Sequence, residues 1–495
     1  MTAKVIALLT LAAVTLFWFL PVLRSRAMAK NGNVGAAIAQ EKSKAPVTIA
    51  ISTTSAEKRN SESSILWQAT PSPTQVIADT IVVEPNKKFQ KILGFGGAFT
   101  DSACCMFDQM STVERGKLFH ELFAPTALNL NLCRTCIGAS DYATHLYSYS
   151  DGEADPDLKH FSIAHDKKYI LPMLRQARTV NADLFLFSSP WSPPGWMKSN
   201  KSMLGGNMQR IHMPAYAQYF TKFLKAYAKE GVPVQAVTVQ NEVDTDQDGR
   251  MPACTWPQEY EVDFVRYHLG PALTDAKLPT KVWIIDHNYN LWGRALASLE
   301  AVGLRQYVTG VAWHGYVGDA WRMTTVHDSY PDIDMFWTEG GPDYTNSDYG
   351  TDWSNWSKTF TGNLRNWCRG ITVWNLALDE QGRPNIGPFP CGGLVTVNST
   401  TKAVTYSGQY WALAQYSRYI KRGATRIEST TNKSGTGGEA DSPDLSHVAF
   451  ENEGGEKVMV VTNSGATRNI ILQEGGRKSD AIALAPDSVT TLRWQ

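Results

Sequence analysis

The chain has no surplus of charge of either sign. Its 495 residues carry 47 Lys+Arg against 47 Asp+Glu, a formal net charge of zero. The basic footprint that grips a phosphate backbone is missing, so nucleic acid is excluded as a partner. Cysteine is scarce: 7 residues is an odd number and too few for a disulfide scaffold. Neither Cys104-Cys105 nor the Cys133/Cys136 pair has His or Cys partners at zinc spacing. No metal site is expected from them, and no cofactor. Gly94-Phe95-Gly96-Gly97 lacks the third glycine of a dinucleotide fingerprint, because position 99 is Phe99. Ser189 does not sit in the GxSxG setting of a serine-hydrolase nucleophile.

Long apolar runs are also rare. Val5 to Leu23 alone is uncharged over nineteen residues, with Lys4 before it and Arg24 and Arg26 after it. It suits an export signal or an uncleaved anchor, and the small-x-small sites Ala27-Met28-Ala29 and Ala37-Ile38-Ala39 follow. The chain is therefore expected to be exported: secreted, periplasmic or anchored at its N-terminus to a membrane.

What is present is material for a large core. Apolar residues make up 43% and charged residues 19%, which excludes global disorder. There are 16 Trp and 19 Tyr, flat side chains that suit the apolar faces of sugars.

The two ends of the chain read as β-structure. Val47–Ser52, Ser64–Gln68 and Gln75–Val83 lie at one end; Val448–Phe450, Lys457–Thr462, Asn469–Leu472 and Val489–Trp494 lie at the other. All are short and rich in β-branched residues. The middle alternates. Eight strand candidates, Ile92–Gly96, Asn129–Cys133, Asp183–Ser188, Val234–Gln240, Lys281–Asp286, Val308–Trp313, Asp334–Thr338 and Gly370–Asn375, are separated by helical patterns such as Ser111–Phe123, Lys167–Val180, Met213–Glu230 and Trp256–Leu273. Eight such steps in about 300 residues fit an α/β fold, a (β/α)8 TIM barrel, with a doubly wound sheet as the alternative. The expected organisation is a signal or anchor over 1–39, N-terminal sandwich strands over 40–87, a catalytic barrel over 88–390 and the rest of a side β-sandwich, built from both termini, over 391–495.

A barrel carries its chemistry at the C-terminal ends of its strands. Those ends hold Asp101, then Arg134 and Asp141, then Trp191, Asn241-Glu242, Asp286-His287-Asn288, His314 with Tyr316, Glu339, and Trp374-Asn375. Each alone is ordinary; together they mark one mouth. Glu242 and Glu339 follow apolar runs on strands four and seven, across the mouth from each other. Two carboxyl groups facing across a sugar ring are what glycoside hydrolysis requires. Arg134 could hold one ionised, and the acid would be the member whose pKa is raised. A carbohydrate-binding protein without turnover is the alternative of another class, but it has no need of both carboxylates.

Seven segments resemble glycoside hydrolase family 30, the glucosylceramidase-like family: GFGGAFTDSA (94–103), NLCRTCIGASDY (131–142), SSPWSPPGWMKSN (188–200), TVQNEV (238–243), AWHGY (312–316), WTEGG (337–341) and WNLALDEQGRPN (374–385). The resemblance implies a barrel with a side sandwich and a retaining β-glycoside hydrolase. Glu242 matches the acid/base and Glu339 the nucleophile. Asn241 matches the residue bonded to the sugar 2-hydroxyl, and Arg134 the arginine on the nucleophile. Asp141 and Trp191 match sugar contacts, Trp374 the pocket base, and His314 and Tyr316 residues that orient the carboxylates. The substrate it implies is a β-linked glycolipid or β-glucan, with glucosylceramide first and endo-β-1,6-glucanase as the alternative. Two departures bear on the aglycone: Gly341 stands where some glucosylceramidases carry Cys, and NIGPFPCGGLVTVN (385–398) is unlike the lipid-cleaving members.

Overall fold

Eight parallel strands close into a barrel: Gly94–Phe99, Leu132–Cys136, Phe185–Ser189, Ala236–Thr238, Lys281–Asn288, Val308–His314, Asp334–Glu339 and Cys368–Val373. They are numbered here as barrel strands one to eight in chain order. Strand eight pairs with strand one and closes the ring. The computed structural model describes residues 48–68, 78–432 and 443–495. The apolar run Val5–Leu23 and the start of the expected strand at Gln75 lie outside them. Among the described residues no helix is long and apolar enough to cross a membrane.

The strands sit within a few residues of their expected places. They are mostly apolar up to their C-terminal ends, because helices cover their outer faces. Strand one begins two residues later than expected and passes very close to strand two. A Cβ on Gly96 would lie 1.9 Å from the Leu132 carbonyl oxygen, so only glycine fits there. Helix Thr112–Phe123 starts where its chemistry says it should, since the Ser111 side chain accepts from the Glu114 amide. The helix expected over Trp256–Leu273 is broken into Gln258–Phe264, a π-helical turn at Val265–Leu269, and Gly270–Asp275.

The last barrel helix, Gly408–Ser417, lies beyond the expected barrel limit at 390. It packs against helix Trp353–Arg365 and strand one. The small strands Ala377–Leu378, Val395–Val397 and Val404–Tyr406 fill the interval between strand eight and that helix.

Both chain ends enter one ten-stranded sheet. Its order is 477–479, 61–68, 48–54, 488–494, 457–463, 445–451, 425–432, 79–91, 468–474, 482–484, and a further pairing joins 468–474 to 477–479. The sheet folds back on a core of its own, with Ile49, Ile81, Met459, Leu472 and Leu492 buried inside. This is the expected side sandwich drawn from both termini. It is fastened to the barrel through the two last helices: Gln415 donates to Thr54 Oγ1 at 2.9 Å, and the Ser357 and Thr462 hydroxyls meet at 2.6 Å.

Candidate active site

The strand ends converge on one cavity of about 620 Å³. Asp141, Trp191, Asn241, Glu242, Tyr316, Glu339 and Trp374 line it. Arg134 and His314 are fully buried behind it. All nine residues to which the family resemblance gives roles are thus brought to one place; two other strand-end residues, Asp101 and Asn375, are not. Asp101 opens helix Asp101–Asp108, which the Thr100 side chain caps, and it accepts from His165 Nε2 at 2.8 Å and the Thr144 amide at 2.7 Å. Asn375 accepts from Thr100 Oγ1 at 2.9 Å. Strand ends that serve the barrel's own loops explain both.

Arg134 reaches across the barrel axis from strand two. It donates to Glu339 Oε2, to Asn241 Oδ1 at 2.8 Å and to Asp286 Oδ2 at 2.8 Å. The indole of Trp191 lies 4.6 Å from its guanidinium carbon and stacks on Trp374 at 4.9 Å. The arginine is therefore pinned by anions on one side and by a flat aromatic pair on the other. Tyr316 donates to the second oxygen of Glu339, at 3.3 Å.

Asp286 is the residue whose importance a strand-end reading understates. It has no exposure, and it also accepts from Ser189, Thr238 and Thr338 hydroxyls, each at 2.7 Å, and from His314 Nε2 at 3.1 Å. Burial opposes its charge, but Arg134 and His314 outweigh burial and hold its carboxyl well below the usual carboxylate range. Gln247 and His287 were not singled out for roles either. Gln247 donates to Glu242 Oε2 at 2.6 Å, and His287 Nδ1 lies 3.6 Å from Glu242 Oε1. Both contacts are made through loops and cross-barrel geometry that no sequence spacing displays.

His314 sits between the two glutamates. Its Nδ1 is 3.3 Å from Glu242 Oε1 and its Nε2 is 3.7 Å from Glu339 Oε2. Burial alone would lower its pKa; the charge of Glu339 and the bonds to Asp286 and Glu242 raise it to about 9. Glu242 itself is buried, which disfavours its charge, yet His314, His287 and Gln247 hold its carboxyl below the usual range. The expected raised acid is therefore not Glu242. The raised carboxyl is Asp141, pushed well above the usual range by burial and by the charges of Glu339 and Glu242. One Asp141 oxygen has no hydrogen-bond partner among the described residues. Glu242 also has a left-handed φ of 56°, strain that the surrounding contacts hold in place.

The loop after strand eight forms a wall of the same cavity. Phe389, Pro390 and Cys391 line it, the Tyr142 hydroxyl donates to the Phe389 carbonyl at 2.7 Å, and the Ile386 amide donates to the Asp141 carbonyl at 2.8 Å. Gly341 lies against Trp374: a Cβ there would be 3.2 Å from the Trp374 Cβ. A larger residue at 341 would press on the pocket wall.

A parallel eight-stranded barrel with two carboxylates, an arginine and stacked indoles in one mouth defines the class of barrel glycosidases. The comparisons resolve the family. Residues 92–420 match the model of the glycosyl hydrolase family 30 TIM-barrel domain, and residues 423–492 that of its β-sandwich domain. The chain belongs to glycoside hydrolase family 30 and hydrolyses glycosidic bonds. It is 33% identical over 409 residues to the endo-1,6-β-D-glucanase of Neurospora crassa, covering 80% of this chain and 83% of that one. It is 29% identical over 403 residues to the lysosomal acid glucosylceramidase of Mus musculus, covering 77% of each. Among solved structures it is similar to the endo-β1,6-glucanase BT3312, with a TM-score of 0.80 and 28% identity, over 90% of this chain and 99% of that one.

Proposed function

We propose that the protein is a retaining hydrolase of β-1,6-linked glucan, acting by double displacement. Glu339 is the nucleophile: its carboxylate attacks the anomeric carbon and the bond to the leaving oxygen breaks. Glu242 gives that oxygen a proton. Glu242 then takes a proton from the water that cleaves the glycosyl–Glu339 ester. Arg134 and Tyr316 each donate to Glu339 and hold its carboxylate aimed. Arg134 occupies Asn241 Oδ1, which leaves the amide nitrogen of Asn241 for the sugar 2-hydroxyl. His314 Nδ1 bonds to Glu242 Oε1 at 3.3 Å and orients that carboxyl. Asp141, with its unpaired oxygen, meets the remaining sugar hydroxyls, and Trp191 and Trp374 supply the apolar wall.

The reading of the aglycone rests on the wall beside Glu242, where the leaving group must lie. Gln247 bonds to Glu242 there, and Thr245, Asn288, Asn290 and Asp343 line the same cavity together with the apolar Met251, Val317, Pro342, Phe389 and Pro390. The polar groups can hydrogen-bond to the hydroxyls of a glucan ring, which the hydrocarbon of a ceramide cannot reciprocate. Similarity to two endo-β-1,6-glucanases supports the same choice over the glucosylceramide that the sequence resemblance placed first. The test is turnover of β-1,6-glucan beside detergent-dispersed glucosylceramide by the same preparation. Release of reducing ends from the glucan at a kcat/KM well above that for the lipid is expected. The reverse order would overturn the proposal.

A further inference from the structure

The active site contains a second constellation that glycoside hydrolysis does not require. One ligand atom from each of Glu242, His287 and His314 lies within 4.8 Å of the others, and Glu242 Oε1 stands 3.6 and 3.3 Å from His287 Nδ1 and His314 Nδ1. Ligands about 2.0–2.1 Å from a tetrahedral ion are separated by roughly 3.3 Å, so the spacing is close to that of a His2Glu ligand set.

The outer contacts fit the same reading. His287 Nε2 is 2.7 Å from Asp244 Oδ1, and His314 Nε2 is 3.1 Å from Asp286 Oδ1. Each carboxylate accepts a hydrogen bond from the Nε2–H of its histidine, which puts the ligating lone pair on Nδ1, as in carboxylate–histidine–metal triads. Gln247 occupies the other oxygen of Glu242, so Oε1 is the one that faces the two histidines. Among the described residues His287 Nδ1 is buried without a hydrogen-bond partner, on a residue only 8% exposed. A buried, unpaired acceptor aimed at two other ligands marks a place for a cation. Glu242 and His287 line the cavity, so an ion there keeps an open position toward it.

We propose that Glu242, His287 and His314 form a site for one divalent transition-metal ion of the zinc class, and that the ion inhibits the hydrolase. Binding displaces protons from the ligands and commits Glu242 to the metal, so it can neither protonate the leaving oxygen nor accept a proton from water. The ion is an inhibitor, not a cofactor. The binding part stands on geometry alone; the inhibition part rests on the proposed role of Glu242.

The test uses the full chain freed of metals by chelator and dialysis, titrated with ZnCl2 by calorimetry and, separately, with Co2+ while visible absorption is recorded. One zinc per chain is expected, with Co2+ bands of tetrahedral nitrogen–oxygen ligation rather than of thiolate. Hydrolysis of an aryl β-glycoside should fall with the same zinc dependence. Asp244→Asn should weaken zinc binding by about 10–100-fold, the usual cost of removing the partner of a ligating histidine, and His287→Ala by more. Each variant's inhibition is read against its own zinc-free rate, and its melting curve shows whether it is folded. Absence of stoichiometric binding, or affinity unchanged in both variants, would overturn the proposal. So would inhibition that survives His287→Ala and disappears in Cys391→Ser, since Cys391 lines the same cavity. Zinc that binds as expected without affecting turnover would leave the site standing and contradict the role given to Glu242.

Discussion

Replacing Asp286 should cost more stability than replacing any other single acid of the site. The side chain has no exposure and is the shared anion of Arg134 and His314. Its three hydroxyl donors lose little when it goes. Ser189 and Thr238 already bond to each other at 2.7 Å, and Thr338 also reaches the Trp313 carbonyl at 3.2 Å. The loss is therefore mainly that of the charge, which leaves a buried guanidinium and a buried imidazole short of an anion. Breaking a buried pair in this way costs about 3–5 kcal/mol. Asp286→Ala and the isosteric Asp286→Asn should fall in that range together, since both remove the charge and only one removes the shape. Urea unfolding followed by tryptophan fluorescence measures it, with the barrel transition read separately if the sandwich unfolds apart from it. Turnover should drop with it by about 100-fold, because Arg134 no longer holds Glu339 in register. The reasoning fails if either variant stays within about 1 kcal/mol of the parent, or if Asn is harmless while Ala is severe.

Other outcomes follow from the same structure. Glu339→Gly should abolish turnover of every substrate, whereas Glu242→Ala should keep the first step on activated aryl glycosides and yield a β-glycosyl azide when azide is added; an α-azide from that variant would exchange the roles. His447, buried between the Ser429 and Thr431 hydroxyls, has its pKa lowered to about 3 by burial and by Arg365. Its stabilisation is complete above the unfolded value near 6.5 and is lost as pH falls toward 3, a total of about 5 kcal/mol, so His447→Gln should flatten the acid side of the stability curve measured in urea. Asp166 accepts from Tyr147, Tyr149 and Tyr227, yet burial raises its carboxyl to about 6. Its raised pKa adds stability fully present below about 4 and lost as pH climbs through 6, so Asp166→Asn should cost less at pH 8 than at pH 4 in the same assay.

The barrel was legible because its strands are apolar runs of the right length with a chemical residue at each end. Glu242 and Glu339 could be found from VQAVTVQNE and DMFWTEG alone. The part played by Asp286 could not, because it binds Arg134, 152 positions away, across the barrel. Helix Gly408–Ser417 escaped notice because nearly every residue in it is buried, which erases the contrast between faces that a helical period needs. The strand over Asp79–Lys91 runs past the expected domain limit at 87 for the opposite reason. Its second half, from Glu84, is polar and mostly exposed, and it is held by pairing with Thr425–Asn432, a partner more than 300 residues away. The order of strands in the sandwich is likewise a product of long-range pairing, which a period of two does not encode.

The central claim, two-step retaining hydrolysis of a β-1,6-glucan, is tested most directly by following the anomeric protons of the first product by NMR as the protein cleaves β-1,6-linked glucan. The account predicts that the β-anomer appears first and that the α-anomer grows only by mutarotation. An α-anomer at the earliest times, or a glucan left intact by a preparation that hydrolyses glucosylceramide, would contradict it.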